Sequence, residues 1–263
     1  MTASSDAPEI ADLRRRVAQA CRVLGLLELT RAATGHISAR IPGSDRILIR
    51  ARGPDELGVR YTTDQQVIEV DLDGRPAGEH ADGLAAPVEV FIHTALYRLR
   101  PDVHAVVHMH PPTVVLFTIC GKPLQPIYGA FDPASAQLAL DGIPTFDSSV
   151  LIQTPELGAR LAQVMDQAKV CLMRGHGITT AGPSVEEAAL SAIQLNELAT
   201  MNYHAQLLGD PQLISAADQA AIRSMKLAPS GSVAGGSPRG RAAALWRYYC
   251  ALTGAAEKTT STT

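Results

Sequence analysis

The sequence predicts an α/β fold, built as one main domain with a C-terminal helical appendage. Segments with the 3.6-residue periodicity of amphipathic helices alternate with short apolar, β-branched runs, which is typical of α/β proteins. The chain has 263 residues, 46% hydrophobic and 19% charged, a composition typical of globular domains. Turn compositions rich in Gly, Pro and Asp separate the segments and mark where each one ends.

The N-terminal part is predicted to form one helix followed by three strands. Residues 8–29 place apolar side chains on one helical face. Residues 36–41 and 46–50 are predicted strands, joined by the turn composition Pro-Gly-Ser-Asp at 42–45. Residues 66–71 form a third predicted strand, ended by an Asp-Gly pair.

The middle of the chain continues the alternation of helices and strands. The predicted elements are a helix over residues 87–99, a strand over 103–110, a helix over 112–119, a helix over 155–166, a strand over 170–173 and a helix over 185–208. Pro87 and Pro155 suit the first position of a helix, and Thr154 suits an N-cap. Ser184 followed by Glu187 predicts a capping box at the start of the last helix.

The C-terminal part is predicted to be an appendage over residues 211–263, attached to a main domain over residues 1–210. Residues 229–240 have a flexible Gly- and Ser-rich composition, and residues 241–252 are a predicted short helix. Residues 257–263 are predicted to be a frayed tail. We expect the appendage to serve packing or assembly.

Charge and composition argue against several classes of partner. The net charge of −3 predicts no basic surface for nucleic acid. We find no apolar run of about 18 residues, so a membrane span is not expected, and the N-terminus lacks an apolar signal core. The four cysteines form no CxxC pair, which favours reduced thiols and a cytoplasmic protein.

Three of the eight histidines fall in the stretch "HAVVHMHPP". His108 and His110 are two residues apart in a strand, so their side chains point to the same face at the strand's end. Two converging imidazoles make half of a divalent metal site, although such a pair alone is a weak signal. His104 lies about 13 Å from His108 along the strand and cannot share that metal. Glu89 and His176 are the candidates for the remaining ligands.

Four stretches, taken together, resemble the class II aldolase/adducin family. They are "GHISAR" (35–40), "YRLRPDVHAVVHMHPP" (97–112), "CLMRGHG" (171–177) and "PSVEEAA" (183–189). The resemblance spans roughly residues 10–210, and the order of the motifs is more specific than the histidine pair alone. It implies a central, mainly antiparallel sheet flanked by helices.

The resemblance also implies a function and a set of site residues. A divalent metal ion would be held by His108, His110 and His176, with Glu89 as catalytic residue and as a ligand in the resting enzyme. Three histidines and a carboxylate suit Mn, Zn, Fe or Co. Residues 1–210 would then be a catalytic domain, and the protein would assemble as a homotetramer. Adducin-like members lack the ligands and act as scaffolds, so the retained ligands favour an enzyme.

Substitutions within the family pattern bear on the substrate. Pro87-Val88 stands where the aldolases of the family carry phosphate-binding serines, and neither side chain donates a hydrogen bond. Arg52-Gly53 stands at a Thr-Gly position, and an arginine fork suits a substrate carboxylate. The segment over residues 51–63 and "GHISAR", which contains His36, resemble the branch that decarboxylates hydroxylated aromatic or hydroxymuconic-type dicarboxylic acids, such as 3,4-dihydroxyphthalate.

Several roles remain open at this point. Glu89 or His36 is the expected proton donor, and Tyr128 matches a position where the aldolases carry an acid tyrosine. His93 lies four residues after Glu89 on the same helix face, and we interpret it as a packing histidine. The alternatives are an aldolase acting on a non-phosphorylated hydroxy-oxo acid or a sugar phosphate, a non-heme iron oxygenase on the same scaffold, and a non-catalytic scaffold. The expected partner is a small carboxylated substrate.

Overall fold

The computed structural model describes residues 6–78, 80, 82–224 and 238–254 of the chain. The helices are α1 (Asp6–Leu26), α2 (Val90–Leu99), α3 (Pro112–Ile119), α4 (Pro133–Ala139), α5 (Pro155–Met165), α6 (Val185–Leu208), α7 (Ala216–Ser224) and α8 (Pro238–Leu252). The strands are β1 (His36–Arg40), β2 (Arg46–Arg50), β3 (Val67–Asp71), β4 (Pro76–Ala77), β5 (Ala105–Met109), β6 (Thr145–Phe146), β7 (Val170–Met173) and β8 (Gly177–Gly182). The predicted α/β class is confirmed.

The strands of the described residues form one sheet in the order β4-β3-β2-β1-β5-β8-β7-β6. Every neighbouring pair is antiparallel except β6 and β7, so the sheet is mainly antiparallel, as the resemblance implies. The strand β5 lies between β1 and β8, and the pairing places His36 of β1 opposite His108 of β5. The centre of the sheet therefore carries the histidine motif.

The sheet has a packed core on both of its faces. One core cluster joins α1, α3, α6 and α8 to the sheet, and the other joins α2 and α5. Successive residues of β5 alternate between the two, with Ala105 and Val107 in the first cluster and Val106 in the second. Because both faces of β5 are buried, its sequence is an apolar run rather than an alternating one.

Most predicted elements are present within a few residues of their predicted ends. Thr154 accepts a hydrogen bond from the Leu157 amide, and Ser184 accepts one from the Glu187 amide, so both predicted N-caps form. The helix predicted from Pro87 instead begins at Val90, because residues 87–89 form a turn that leaves Glu89 at the N-cap.

Some short elements are missing from the sequence prediction. The strand β8 reads "GITTAG", and its terminal glycines resemble turn composition, although pairing with β5 and β7 makes it a central strand. The short strands β4 and β6 carry too few residues to show a period. The helix α4 has Asp132 as its N-cap, and the Asp132 side chain accepts a hydrogen bond from the Ser135 amide. The sequence does contain this cap signal.

The helix α8 packs on the main core. It contacts α1 and α6, and its residues Trp246 and Cys250 are buried in the same cluster as α1. Gln19 of α1 also donates to the Thr253 hydroxyl at 2.8 Å. The predicted tail at 257–263 and most of the flexible stretch at 229–240 lie outside the described residues. No helix within the described ranges has the length and apolar character to cross a membrane.

Candidate metal centre and active site

Four side chains converge at one end of the central sheet, and we call them the ligand group: Glu89, His108, His110 and His176. Each offers one ligand atom, and these atoms all lie within 4.8 Å of one another. His108 and His110 come from the end of β5, Glu89 from the N-cap of α2, and His176 from the turn between β7 and β8. Both of the additional ligands expected from the sequence therefore join the histidine pair.

The turn that carries His176 depends on two glycines. Gly175 has a φ of 58°, a left-handed conformation that glycine adopts without strain. Gly177 lies against β5, where an added Cβ would stand 2.3 Å from the Met109 carbonyl oxygen and 2.6 Å from the His110 ring. The motif "GHG" is thus required for the close approach of His176 to His110.

His108 is oriented by the sheet itself. Its Nδ1 lies 2.9 Å from the carbonyl oxygen of Ile178 on β8, so Nδ1 carries the proton and donates it. The Nε2 lone pair then points at His110, whose own Nε2 lies 2.9 Å away. A backbone carbonyl that fixes the tautomer in this way is the usual partner of a metal-binding histidine.

Glu89 has one carboxylate oxygen anchored and one directed into the group. Its Oε1 accepts a hydrogen bond of 2.9 Å from the Ile152 amide. Its Oε2 lies 3.5 Å from Nε2 of His176 and 3.7 Å from Nε2 of His108. The side chain is nearly buried, so the second oxygen faces the imidazoles rather than bulk water.

The surroundings favour neutral imidazoles at His108 and His110 and an ionised carboxylate at Glu89. Burial, reinforced by neighbouring histidines, lowers the pKa of His110 to about 4 and holds the pKa of His108 well below its ordinary value. Burial acts to raise the pKa of Glu89, but His176 and the Ile152 amide outweigh it and the pKa lies below its ordinary value. These are the protonation states that metal ligands need.

The ligand group fits a divalent metal ion. Both ring nitrogens of His176 are buried without a hydrogen-bond partner in the described part of the chain. Buried polar atoms without partners are costly and uncommon, so a converging set of them indicates an external ligand. Three imidazole nitrogens and one carboxylate oxygen suit borderline divalent metals.

A second set of polar side chains lies beside the ligand group, and we call it the buried chain: His36, His93, Ser38 and Tyr97. Nδ1 of His36 lies 2.6 Å from Nε2 of His93, and Nδ1 of His93 lies 2.6 Å from the Ser38 hydroxyl. The Ser38 hydroxyl lies 2.8 Å from that of Tyr97. The rings of His36 and His108 are 5.0 Å apart, so the buried chain ends next to the ligand group.

Arg52 and Gly53, the predicted substrate-binding pair, follow the end of β2. The Arg52 guanidinium lies 3.1 Å from the Glu56 carboxylate through Nε and donates to the Ala33 carbonyl through Nη1. Glu56 also pairs with the buried Arg50, so one carboxylate bridges two arginines. Both arginines lower the pKa of His36, after burial and the neighbouring histidines, which shows that their charge reaches the site.

Tyr128 lies in a different environment from the ligand group. Its ring packs edge-on against Phe131 at 5.8 Å, and its hydroxyl lies beside Ser135. Burial raises the pKa of Tyr128 to about 12. Within the described residues, its contacts are with α4 and the core near α6, and the protomer does not bring it to the ligand group.

The polar residues that support the site are not predicted from the sequence. The sequence indicates only a packing role for His93 and no role for Ser38 and Tyr97. Their spacing does carry a signal, because His93 and Tyr97 follow Glu89 at four-residue intervals on one helix face. His36 and Ser38 are two residues apart in β1 and therefore point to the same face of the sheet.

Comparison with known proteins agrees with this geometry. Residues 15–203 match the profile of the Class II Aldolase and Adducin N-terminal domain. The chain is 44% identical over 194 residues to "3,4-dihydroxyphthalate decarboxylase" of Arthrobacter keyseri, covering 73% of this chain and 78% of the relative. It is 39% identical over 211 residues to the protein of the same name from Terrabacter sp. (strain DBF63), covering 80% and 88%.

A solved structure shows the same fold. "L-fuculose 1-phosphate aldolase from Glaciozyma antarctica PI12" superimposes with a TM-score of 0.77 and 21% identity, covering 97% of this chain and 94% of that one. At that identity the likeness concerns the fold alone. Since the family profile matches well over half of the chain and the relatives cover most of it, the chain belongs to the class II aldolase and adducin family.

Proposed function

We propose that this protein is a divalent-metal-dependent decarboxylase of a hydroxylated aromatic dicarboxylic acid such as 3,4-dihydroxyphthalate. The observation that carries the proposal is the similarity, at 39–44% identity over most of the chain, to relatives named for that reaction. The ligand group supports it, because its four side chains bring three imidazole nitrogens and one carboxylate oxygen within the spacing of a metal site. The protein would be a carbon–carbon lyase of aromatic catabolism.

His108, His110, His176 and Glu89 would hold the cation. Mn, Zn, Fe and Co all suit this set of ligands. When bound, such an ion supplies Lewis-acid stabilisation of negative charge on adjacent substrate oxygens. The Ile178 carbonyl and the Ile152 amide keep His108 and Glu89 in position for that role.

Arg52 and Gly53 would receive a carboxylate of the substrate. The Arg52 side chain is 40% exposed, and its Nη2 makes no hydrogen bond within the described residues. Glu56 and Ala33 hold its other edge, so the free nitrogen is presented in a fixed orientation. Arg50, Arg52 and Glu56 together carry a net positive charge, which favours a dianionic substrate.

Decarboxylation requires a proton for the ring carbon that loses its carboxylate. That carbon takes one proton, the electrons of the broken C–C bond return to the ring, and CO₂ leaves. Glu89 and His36 both lie close to His108 and are the candidates for the donor. Glu89 is ionised in the free site, so it would first take a proton from a hydroxyl of the substrate and then pass it to the ring carbon. Tyr128 stays a prediction for this role, as do the homotetramer and the cytoplasmic location.

The experiment that tests the function is an assay of CO₂ release. The purified protein would be reloaded with Mn(II) and given a panel of hydroxylated aromatic dicarboxylates that includes 3,4-dihydroxyphthalate, with oxygen uptake recorded alongside. We expect metal-dependent CO₂ release, lost in His110→Ala and retained in His104→Ala, which alters an exposed histidine of the same segment. Arg52→Lys should raise KM more than it lowers kcat, because a guanidinium that can pair with a carboxylate through two N–H groups is replaced by a single ammonium.

Three outcomes would overturn the proposal. Carbonyl products from hydroxy-oxo acids or sugar phosphates, without CO₂ from the panel, would indicate the aldolase. Oxygen consumption with strict dependence on iron would indicate the oxygenase. A protein that binds no divalent metal would be a scaffold.

A further inference from the structure

The buried chain connects the core of the protein to the edge of the ligand group. Its three contacts are short, at 2.6, 2.6 and 2.8 Å, and all four of its side chains are buried. Ser38 and His93 are fully buried, and His36 keeps 4% of its surface exposed. A polar chain of this kind is costly to bury unless every member has its partner.

The direction of the hydrogen bonds can be worked out from the number of protons. A neutral imidazole carries one N–H, and each hydroxyl carries one O–H. In one arrangement Tyr97 donates to Ser38, Ser38 donates to Nδ1 of His93, and Nε2 of His93 donates to Nδ1 of His36. The proton of His36 then lies on Nε2. In the opposite arrangement every bond reverses, and His36 carries its proton on Nδ1.

The two arrangements differ at the Tyr97 end. In the reversed arrangement Tyr97 accepts from Ser38, and its own proton needs another acceptor. No other acceptor lies within hydrogen-bond distance of that hydroxyl among the described residues. A buried O–H without an acceptor is costly. The other arrangement instead leaves the Nε2 proton of His36 at the end of the buried chain that keeps some exposure, where solvent or substrate can accept it. The arrangement in which Tyr97 donates is therefore the more stable one.

We infer that Ser38 and His93 are positioning residues that hold His36 as the Nε2–H tautomer, so that His36 donates a hydrogen bond to an anionic oxygen of the substrate. The inference rests on the proposed decarboxylase function. Nε2 of His36 has no hydrogen-bond partner within the described ranges, and it lies on the ring edge away from His93. The His36 ring lies 5.0 Å from that of His108, so this N–H is next to the ligand group.

This assignment separates the two candidate proton donors. If His36 gave up its Nε2 proton, one proton would have to shift along each hydrogen bond of the buried chain, and Tyr97 would be left as a phenolate. Burial holds the pKa of Tyr97 well above its ordinary value, which opposes that charge. His36 therefore stabilises substrate charge without transferring its proton, and Glu89 remains as the candidate acid, once it has taken a proton from a hydroxyl of the substrate.

The first test reads the tautomer directly, without substrate. The Zn(II)-loaded holoprotein would be labelled with ring-¹⁵N histidine, and the His36 resonances assigned by comparison with His36→Gln. We expect Nε2 of His36 to be protonated and Nδ1 to be bare. A protonated Nδ1 in the native protein would overturn the inference, whatever the enzyme's activity.

Two variants test the positioning residues. Ser38→Ala removes the hydroxyl that fixes the direction, so we expect a mixture of both His36 tautomers. Tyr97→Phe is the matched control, because Ser38 keeps its proton and still donates it to His93; the native tautomer should persist. A single native tautomer in Ser38→Ala, with the fold and metal content retained, would contradict the inference.

Kinetics then separate a hydrogen-bond donor from an acid. Loss of a hydrogen bond to a charged oxygen costs about 10–150-fold in rate, whereas loss of a general acid costs up to about 10⁴-fold. We expect His36→Gln, which keeps an N–H, to retain kcat within about 10-fold and to keep the shape of its pH profile. Turnover that disappears in His36→Gln while metal stays bound would identify His36 as the acid. If no substrate yields CO₂ in the native enzyme, the proposed function fails, while the NMR result stands separately.

Discussion

The ligand group and the buried chain are neighbouring clusters of histidines with opposite hydrogen-bond properties. In the ligand group, both nitrogens of His176 lack a partner within the described residues, and the Nε2 atoms of His108 and His110 face each other at 2.9 Å. In the buried chain, both nitrogens of His93 have partners at 2.6 Å. The two clusters meet at the rings of His36 and His108.

The difference shows how one residue type serves two purposes. Imidazole nitrogens that converge without partners form a site that an external cation completes. Imidazoles whose nitrogens are all paired hold a fixed geometry and a fixed tautomer. Variants of the two clusters test this distinction through metal affinity, Tm and the free energy of unfolding, in order of decreasing effect.

Removing a member of the ligand group should abolish metal binding and activity. We expect His176→Ala to lower metal affinity by more than the 10–100-fold that outer partners of metal ligands typically cost. CO₂ release should fall at least as far. Metal content by elemental analysis and the CO₂ assay would check both, with His104→Ala as the control. Full metal occupancy in His176→Ala would contradict the assignment of the ligand group.

Metal binding should stabilise the native protein. A ligand at about 100 times its Kd adds about 2.7 kcal/mol to the free energy of unfolding. For a chain of this size, that corresponds to an increase in Tm of about 5–10 °C. Thermal unfolding with and without a chelator measures it. The double variant His110→Ala/His176→Ala should show no such change, and an equal shift there would place the metal elsewhere.

The metal-free protein should lose stability as the pH falls. Burial lowers the pKa of His93 to about 3 and that of His110 to about 4, so the unfolded chain binds more protons than the folded one. The free energy of unfolding therefore decreases from about pH 6.5 towards pH 4, by about 1.4 kcal/mol per pH unit for each histidine. Urea denaturation across this range would show it.

A matched pair of variants locates that effect. His93→Gln should reduce the slope by the contribution of about one proton, and His104→Ala should leave it unchanged because that side chain is exposed. An unchanged slope in His93→Gln would mean that His93 is not the buried neutral group we describe.

The smallest expected effect concerns the far end of the buried chain. Tyr97→Phe keeps the ring and removes one hydrogen bond to Ser38, so we expect a loss of about 1 kcal/mol in the free energy of unfolding. Metal content should not change. Loss of metal in Tyr97→Phe would show that the two clusters are not separable.

Local patterns account for the parts of the site that the sequence predicts well. A two-residue spacing in a strand placed His108 and His110 on one face, and cap residues such as Thr154 and Ser184 marked two helix starts correctly. The terminal glycines of β8 hid a central strand, because local composition resembles a turn there while pairing with β5 decides the outcome. Glu89 and His176 were expected as ligands from motifs, and the fold brings them to the pair.

The direction of each side chain within its own element follows from local sequence, because the period of a helix or strand is a local property. The sequence also carries the family motifs. Which side chains come into contact depends on the fold. The strand β1 lies beside β5 and brings His36 to His108. His93 contacts Ser38, and Glu56 pairs with Arg52. The two histidine contacts depend on strand order and on the burial of polar atoms, which join segments distant in the chain and leave no local pattern. The Arg52–Glu56 contact is close in sequence, but it lies in a loop with no helical or strand period to predict it.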